Sequence, residues 1–195
     1  LLPGLSPRGV PRNLKDTAIP FNFNDLDELK AKASGLEKEI AAIIVEPARG
    51  EEAPKDYLVS LKNFARKIGA VLIFDEITSG FRMCTGGLHL KYGVNPDMAI
   101  FAKSIANGYA MSAVIGREKI MSAAQSTFIS STNWTERIGP VAAIATIKKY
   151  ISENVSEHII DIGNSVKKVW IDSANKYKLP ISVSGLPTLG SFSFD

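Results

Sequence analysis

An α/β fold built on a mostly parallel sheet is predicted by three features of the sequence. The run Ala70-Val71-Leu72-Ile73-Phe74 is continuously apolar and ends in Asp75-Glu76. The run Met98-Ala99-Ile100-Phe101-Ala102 is equally apolar and ends in Lys103. Short unbroken runs of this kind are the pattern of strands buried on both faces, as in parallel sheets. A third such run, residues 41–46, is separated from the first by a segment with helical spacing. Strand, helix, strand, connection and strand follow one another in the rhythm of an α/β sheet.

Residues 1–20 are rich in proline, glycine and charge and read as a loop, with residues 18–23 as a short extended segment. Asn24 is the predicted N-cap of a helix reaching about residue 33, opened by Asp25, Leu26 and Asp27. Residues 41–46 form a strand. Residues 54–69 form a helix, because Tyr57, Leu58, Leu61, Phe64, Ala65 and Ile68 recur at helical spacing, and Gly69 is its C-terminal cap. Residues 70–75 are the next strand. Residues 78–96 hold Gly80, Gly86, Gly87, Gly93 and Pro96 and read as a long connection. Residues 98–102 form a strand, Asn107-Gly108 a turn, residues 111–115 another strand and residues 117–124 a short helix. Helices are predicted over residues 136–151, with Pro140 in an early turn, and over residues 155–177. Residues 180–195 read as one or two strands with turns at Gly185 and Gly190. A shift in composition near Ile151 divides the chain into a larger α/β part, residues 1–153, and the start of a smaller α+β part, residues 154–195.

Composition excludes several classes. With 23 basic and 20 acidic residues the formal charge is +3, too mild for a nucleic-acid or anionic-membrane surface. No apolar run approaches the ~18 residues of a membrane span. The lone cysteine, Cys84, permits no internal disulfide and suits a reducing compartment, so a cytoplasmic location is expected. His89 and His158 have no metal-ligand spacing with Cys84, and no metal is expected. Gly-x-Ser-x-Gly, Walker A and Gly-x-Gly-x-x-Gly patterns are absent. Asn133-Trp134-Thr135 and Asn154-Val155-Ser156 match the glycosylation pattern and are expected to be coincidental.

The charges that end the two central runs carry the chemistry. In an open parallel sheet ligands sit beyond the carboxyl ends of the strands. A lysine there is ordinarily just solvated. Lys103, however, follows five apolar residues and precedes the small-residue loop Ser104-Ile105-Ala106-Asn107-Gly108. An amine in a partly dry site loses some preference for its charged form and can form a Schiff base with an aldehyde. Asp75 could simply cap a turn, but a buried carboxylate also raises the pKa of a ring nitrogen and keeps the ring an electron sink. A lysine and an acid at one sheet edge therefore point to pyridoxal phosphate, which has both an aldehyde carbon and a basic ring nitrogen. Glu76, the next residue, should face the opposite side of the strand.

The stretches Val45-Glu46-Pro47, Phe74-Asp75-Glu76-Ile77-Thr78-Ser79-Gly80-Phe81-Arg82, and Ala102-Lys103 with Asn107-Gly108 resemble the class III aminotransferases. Within them the chain is similar to the glutamate-1-semialdehyde aminomutase branch. Asn13-Leu14-Lys15, Asn24-Asp25-Leu26 and the segment Ser131-Thr132-Asn133-Trp134-Thr135-Glu136-Arg137-Ile138-Gly139-Pro140 extend the likeness over nearly the whole chain. The resemblance implies the large domain of the fold-type I pyridoxal-phosphate enzymes plus the beginning of the small domain. It implies that Lys103 carries the cofactor as a Schiff base, Asp75 pairs with its ring nitrogen and Ile77 packs on a ring face. It further implies that Thr132 reaches the cofactor phosphate of the partner subunit in a homodimer, and that Glu46 lies near the cofactor. Thr132 also reads as a helix N-cap, and the two roles are compatible. Glu51 reads as a substrate-side acid or a solvated glutamate, and Arg82 and Arg137 as members of structural ion pairs. Asn133 replaces the aromatic residue expected in close relatives.

The implied activity is transfer of an amino group between a small amine and a carbonyl substrate. The alternatives are an intramolecular aminomutase and a catalytically silent homologue that acts as a binding protein, against which intact Lys103 and Asp75 argue. The family's other phosphate-binding turn has no counterpart before Ala41, and an arginine that grips the substrate carboxylate would lie past Asp195. The chain is therefore read as an internal piece of a longer enzyme.

Overall fold

The computed structural model describes residues 6, 8–48, 50–130, 132, 133 and 135–195. Residues 1–5 and 7 of the predicted opening loop, and Ser131 and Trp134 of the segment before the penultimate helix, lie outside the described residues. Asp25, not Asn24, caps the first helix, α1 (Leu26–Ala33). Its carboxylate accepts from the Glu28 N–H at 2.8 Å, while the Glu28 carboxylate reaches back to the Asn22 N–H at 2.5 Å. Asn24 has φ 62° and supplies the left-handed turn ahead of the cap.

Strand β1 (Ala42–Val45) leads through a loop to α2 (Lys55–Ile68), whose buried face is Tyr57, Leu58, Leu61 and Ala65. Gly69 ends α2 in the left-handed region, at φ 78°, and its N–H returns to the last carbonyls, so the chain reverses into β2 (Val71–Asp75). The predicted connection after β2 holds a helix, α3 (Leu88–Tyr92), between Gly87 and Gly93. Five residues are too few to show a helical period. Strand β3 (Met98–Phe101) and strand β4 (Ala113–Gly116) complete a sheet of order β1-β2-β3-β4, parallel across the first three strands and antiparallel at the last. β4 begins at Ala113, two residues later than predicted. The predicted short helix is α4 (Glu118–Met121), continued by a 3-10 turn. Helices α5 (Ile138–Ser152) and α6 (Val155–Tyr177) follow, and β5 (Ile181–Ser184) and β6 (Ser191–Phe194) form an antiparallel pair.

The strands bury one face rather than the two predicted. Leu72 and Phe74 on β2, and Ala99 and Phe101 on β3, are buried, while Val71, Ile73, Asp75, Met98 and Ile100 between them are half-buried. α2 packs Leu58, Leu61 and Ala65 on the side that carries Ile43, Val45, Leu72 and Phe74. Ile44, on the other face of β1, is 57% exposed. A second apolar cluster joins Phe101 and Ala99 to Phe81, Ile105, Ala143 and Tyr150, and so ties α5 to the segment that follows β3. Among the described residues no helix is long and apolar enough to cross a membrane.

Candidate active site

Three neighbouring strands each hand a polar side chain to the same edge of the sheet. Glu46 follows β1, Asp75 is the last residue of β2, and Lys103 lies just after β3. Parallel pairing puts Val45 beside Phe74 and Asp75 beside Ile100, so the carboxyl ends of the strands coincide. Lys103 opens the 3-10 turn Lys103–Ala106 and has φ 50°, in the left-handed region that side chains other than glycine and asparagine rarely adopt. It is exposed, and its ammonium donates to Thr78 Oγ1 at 2.9 Å. Among the described residues it makes no ion pair. The half-buried Asp75 accepts from the Ile77 N–H through Oδ1 at 2.9 Å, a tight local turn that also holds Ile77 beside it.

The structure thus brings Lys103, Asp75 and Ile77 to one edge, with Glu46 one strand further along. A cleft of about 550 Å³ lined by Glu46 and Glu51 with Phe21, Phe23 and Tyr57 opens at the β1 end. A second, of about 710 Å³, lies between the β2–α3 connection, α5 and α6 and is lined by Arg82, Ser104, Asn107 and His158. Neither Lys103 nor Asp75 lines either cleft. Thr132 lies elsewhere, exposed in a turn. It does not cap α5: the carboxylate of Glu136 does so, accepting from the N–H groups of Ile138 at 2.5 Å and Gly139 at 3.3 Å. Arg82 and Arg137, read as ion-pair members, make no ion pair among the described residues, and the Arg82 Nε–H is buried without an acceptor.

One group, Thr78, and the hydrogen-bond network of Glu76 escaped the sequence reading. Thr78, the partner of Lys103, is 25 residues from it and carries no signal of its own. Glu76 faces away from Asp75, as the alternation predicted, but it is 0% exposed and at the centre of a network. It accepts from Ser79 Oγ at 2.5 Å and, through Oε1, from the His89 N–H at 3.0 Å and His89 Nδ1 at 2.9 Å. An ionised carboxylate only accepts, so the proton lies on Nδ1. Burial pushes the Glu76 carboxyl up, but the hydrogen bonds from His89, Ser79 and Leu88 outweigh it and hold the group below its ordinary value. The signal that could have found the network is Gly87, where a Cβ would sit 2.4 Å from the His89 ring and 2.9 Å from Glu76 Oε1.

Residues 11–195 match the family described as aminotransferase class III. The chain belongs to that family. It is 36% identical to the 3-aminobutyryl-CoA aminotransferase of Cloacimonas acidaminovorans, over 95% of this chain and 47% of that protein. It is 30% identical to a glutamate-1-semialdehyde 2,1-aminomutase of Clostridium beijerinckii, over 93% of this chain and 44% of that protein. Among solved structures, an omega-transaminase from Sphaerobacter thermophilus superposes with a TM-score of 0.85 at 24% identity, covering 96% of this chain and 44% of that one. That likeness shows the shared α/β transaminase fold. The chain spans about half the length of the curated relatives it matches.

Proposed function

We propose that this chain is the central part of a pyridoxal-phosphate-dependent aminotransferase, in which Lys103 and Asp75 hold the cofactor. The supporting observation is the delivery of an amine and a carboxylate to one sheet edge by adjacent parallel strands, neither neutralised by an ion pair among the described residues. The donor set fits the group. An exposed amine whose partner is only a hydroxyl is free to meet an aldehyde, and a half-buried carboxylate suits a protonated ring nitrogen. When bound, pyridoxal phosphate supplies an exchangeable aldehyde carbon and a ring that takes up electrons. Lys103 Nζ would hold that carbon and, when free of it, would serve the substrate carbon as general base and then general acid. Asp75 orients the ring through its nitrogen. Ile77 packs on one face, its Cβ branch making it stiff.

Glu46 lines the approach to the site from the β1 side, and Thr132 holds the cofactor phosphate of a partner subunit in a homodimer. The exposed turn that carries Thr132 is compatible with reaching another subunit. The amine and carbonyl substrates are small molecules. The protein works in the cytoplasm, a reading supported by its single free cysteine, and residues 154–195 begin the small domain. An intramolecular aminomutase is a second reading, favoured by the aminomutase relative above.

The test is covalent capture. Borohydride treatment of the full-length protein with pyridoxal phosphate should label the peptide containing Lys103, and Lys103→Ala should lose the label. Asp75→Asn should keep part of the binding and cut turnover by about 10²- to 10³-fold, the range for removing a preorganised electrostatic partner. Label retained in Lys103→Ala, or near-normal turnover in Asp75→Asn, overturns the assignment. Product formation without any external amino acceptor would identify the aminomutase.

A further inference from the structure

We propose that Glu76 is the positioning residue of this site, a buried carboxylate that locks the turn after β2 so that Thr78 is presented to Lys103. The chain leaves the sheet at Asp75 and must hold its next five residues in one shape. The Glu76 N–H donates to the Ile100 carbonyl at 2.9 Å, and so extends the pairing with β3 by one residue. The Glu76 carbonyl accepts from the Gly80 N–H at 2.8 Å, closing a turn over residues 76–80. Its carboxylate then takes Ser79 Oγ from the same turn, and the N–H and Nδ1 of His89 from the first turn of α3.

Thr78 is thereby held from both sides, by Glu76 before it and by Ser79 and Gly80 after it. Its hydroxyl receives the Lys103 ammonium at 2.9 Å. Asp75 is coupled to the same turn, because its carboxylate accepts from the Ile77 N–H. One acid on the buried side of the strand thus sets the direction of groups on the open side. The geometry allows little slack: Glu76 is 0% exposed, and His89 packs against both Phe74 and Phe101 with ring centroids 6.4 Å apart in each case. The position of Glu76, one residue after Asp75 in an extended strand, is what lets it act from behind without touching the cofactor or the substrate.

The proposal rests on the reading of Lys103 given above, and its test separates the two. Losing the Thr78 acceptor frees the Lys103 amine from its fixed partner, so Lys103 should be acylated faster. The readout is the rate of acetylation of Lys103 by acetic anhydride at one fixed pH in the cofactor-free full-length protein, followed by mass spectrometry. Thr78→Val should raise that rate by roughly two- to tenfold, the size of one net hydrogen bond. Glu76→Gln should raise it in the same direction, and Ser79→Ala by less. Leu61→Ala, which loosens the core under α2 without touching the turn, should cost stability and leave the rate in place. If Glu76→Gln does not fold, Ser79→Ala carries the test. A rate that rises in Thr78→Val but in neither Glu76→Gln nor Ser79→Ala overturns the role of Glu76. Failure of borohydride to capture pyridoxal phosphate on Lys103 would overturn the proposed function, while these rates would still report on Glu76.

Discussion

The two ends of the four-stranded sheet treat charge in opposite ways. At the end where β3 begins, the Asp97 carboxylate accepts from the Leu72 N–H at 3.0 Å and pairs with Arg117 Nη1 at 2.9 Å. The backbone of Asp97 also bonds to Leu72 and to Arg117, so β2, β3 and the residue after β4 are tied by one amino acid. At the other end, Lys103 meets a neutral hydroxyl and Asp75 a backbone N–H two residues on. Lys103 is also held at φ 50°, a backbone state that costs about 1–2 kcal/mol for most side chains. The first edge is built to close the sheet. The second leaves an amine and a carboxylate without charged partners among the described residues and bears local strain, which supports the cofactor role proposed for them.

Glu76 belongs to the second edge but is treated like Asp97. Each is an acid held below its ordinary value against the upward push of burial, Glu76 by His89 and Ser79, Asp97 by the Leu72 N–H and Arg117. Glu76→Ala should break the contrast most severely. It would leave the Ser79 hydroxyl and both His89 donors buried without an acceptor, a loss of about 3–5 kcal/mol measurable by urea unfolding. The sign with pH follows from linkage. A carboxyl with a lowered folded-state pKa stabilises fully above its unfolded value and loses that contribution as pH falls through the folded one. The gap between wild type and Glu76→Ala should therefore be constant above about pH 5 and shrink below about pH 4. A gap that widens on acidification would mean that Glu76 is buried as the neutral acid.

Asp97→Ala should cost less, about 1–2 kcal/mol, because its site is half-open to water and its Arg117 partner is exposed. It should leave the acetylation rate of Lys103 where it was; a changed rate would show that the two edges are coupled through the strands. The smallest effect tests the strain. Asparagine tolerates the left-handed region, so Lys103→Asn should raise stability by up to about 1 kcal/mol while abolishing covalent capture. A lower melting temperature in that variant would show that the backbone at 103 is unstrained.

Much of this architecture is written in local pattern. Residues 155–177 carry a helical period and form α6 over that very span, and Gly69 takes the left-handed cap it was expected to take. Lys103 and Asp75 could be singled out because each terminates an apolar run, and an apolar run sets where a strand ends. Local pattern misled where the outcome depended on something distant. The runs read as buried on both faces, yet Ile44 stands 57% exposed on the side away from α2. Asn24 looked like a cap until Asp25, one residue on, proved to be in reach of the Glu28 N–H. α3 hid in a glycine-rich stretch because one turn of helix has no period to detect.

The sequence by itself determined the strands, the long helices and the two charged residues at the sheet edge, because those follow from hydrophobic spacing and from the residue types that end each run. Only the tertiary structure decided who holds them. Thr78 meets Lys103 across 25 residues because parallel strands bring two connections to one edge, and His89 meets Glu76 across 13 because the connection after β2 folds back on itself. Hydrogen bonds act over about 3 Å of space whatever the distance along the chain, so no spacing rule announces them before the sheet has formed.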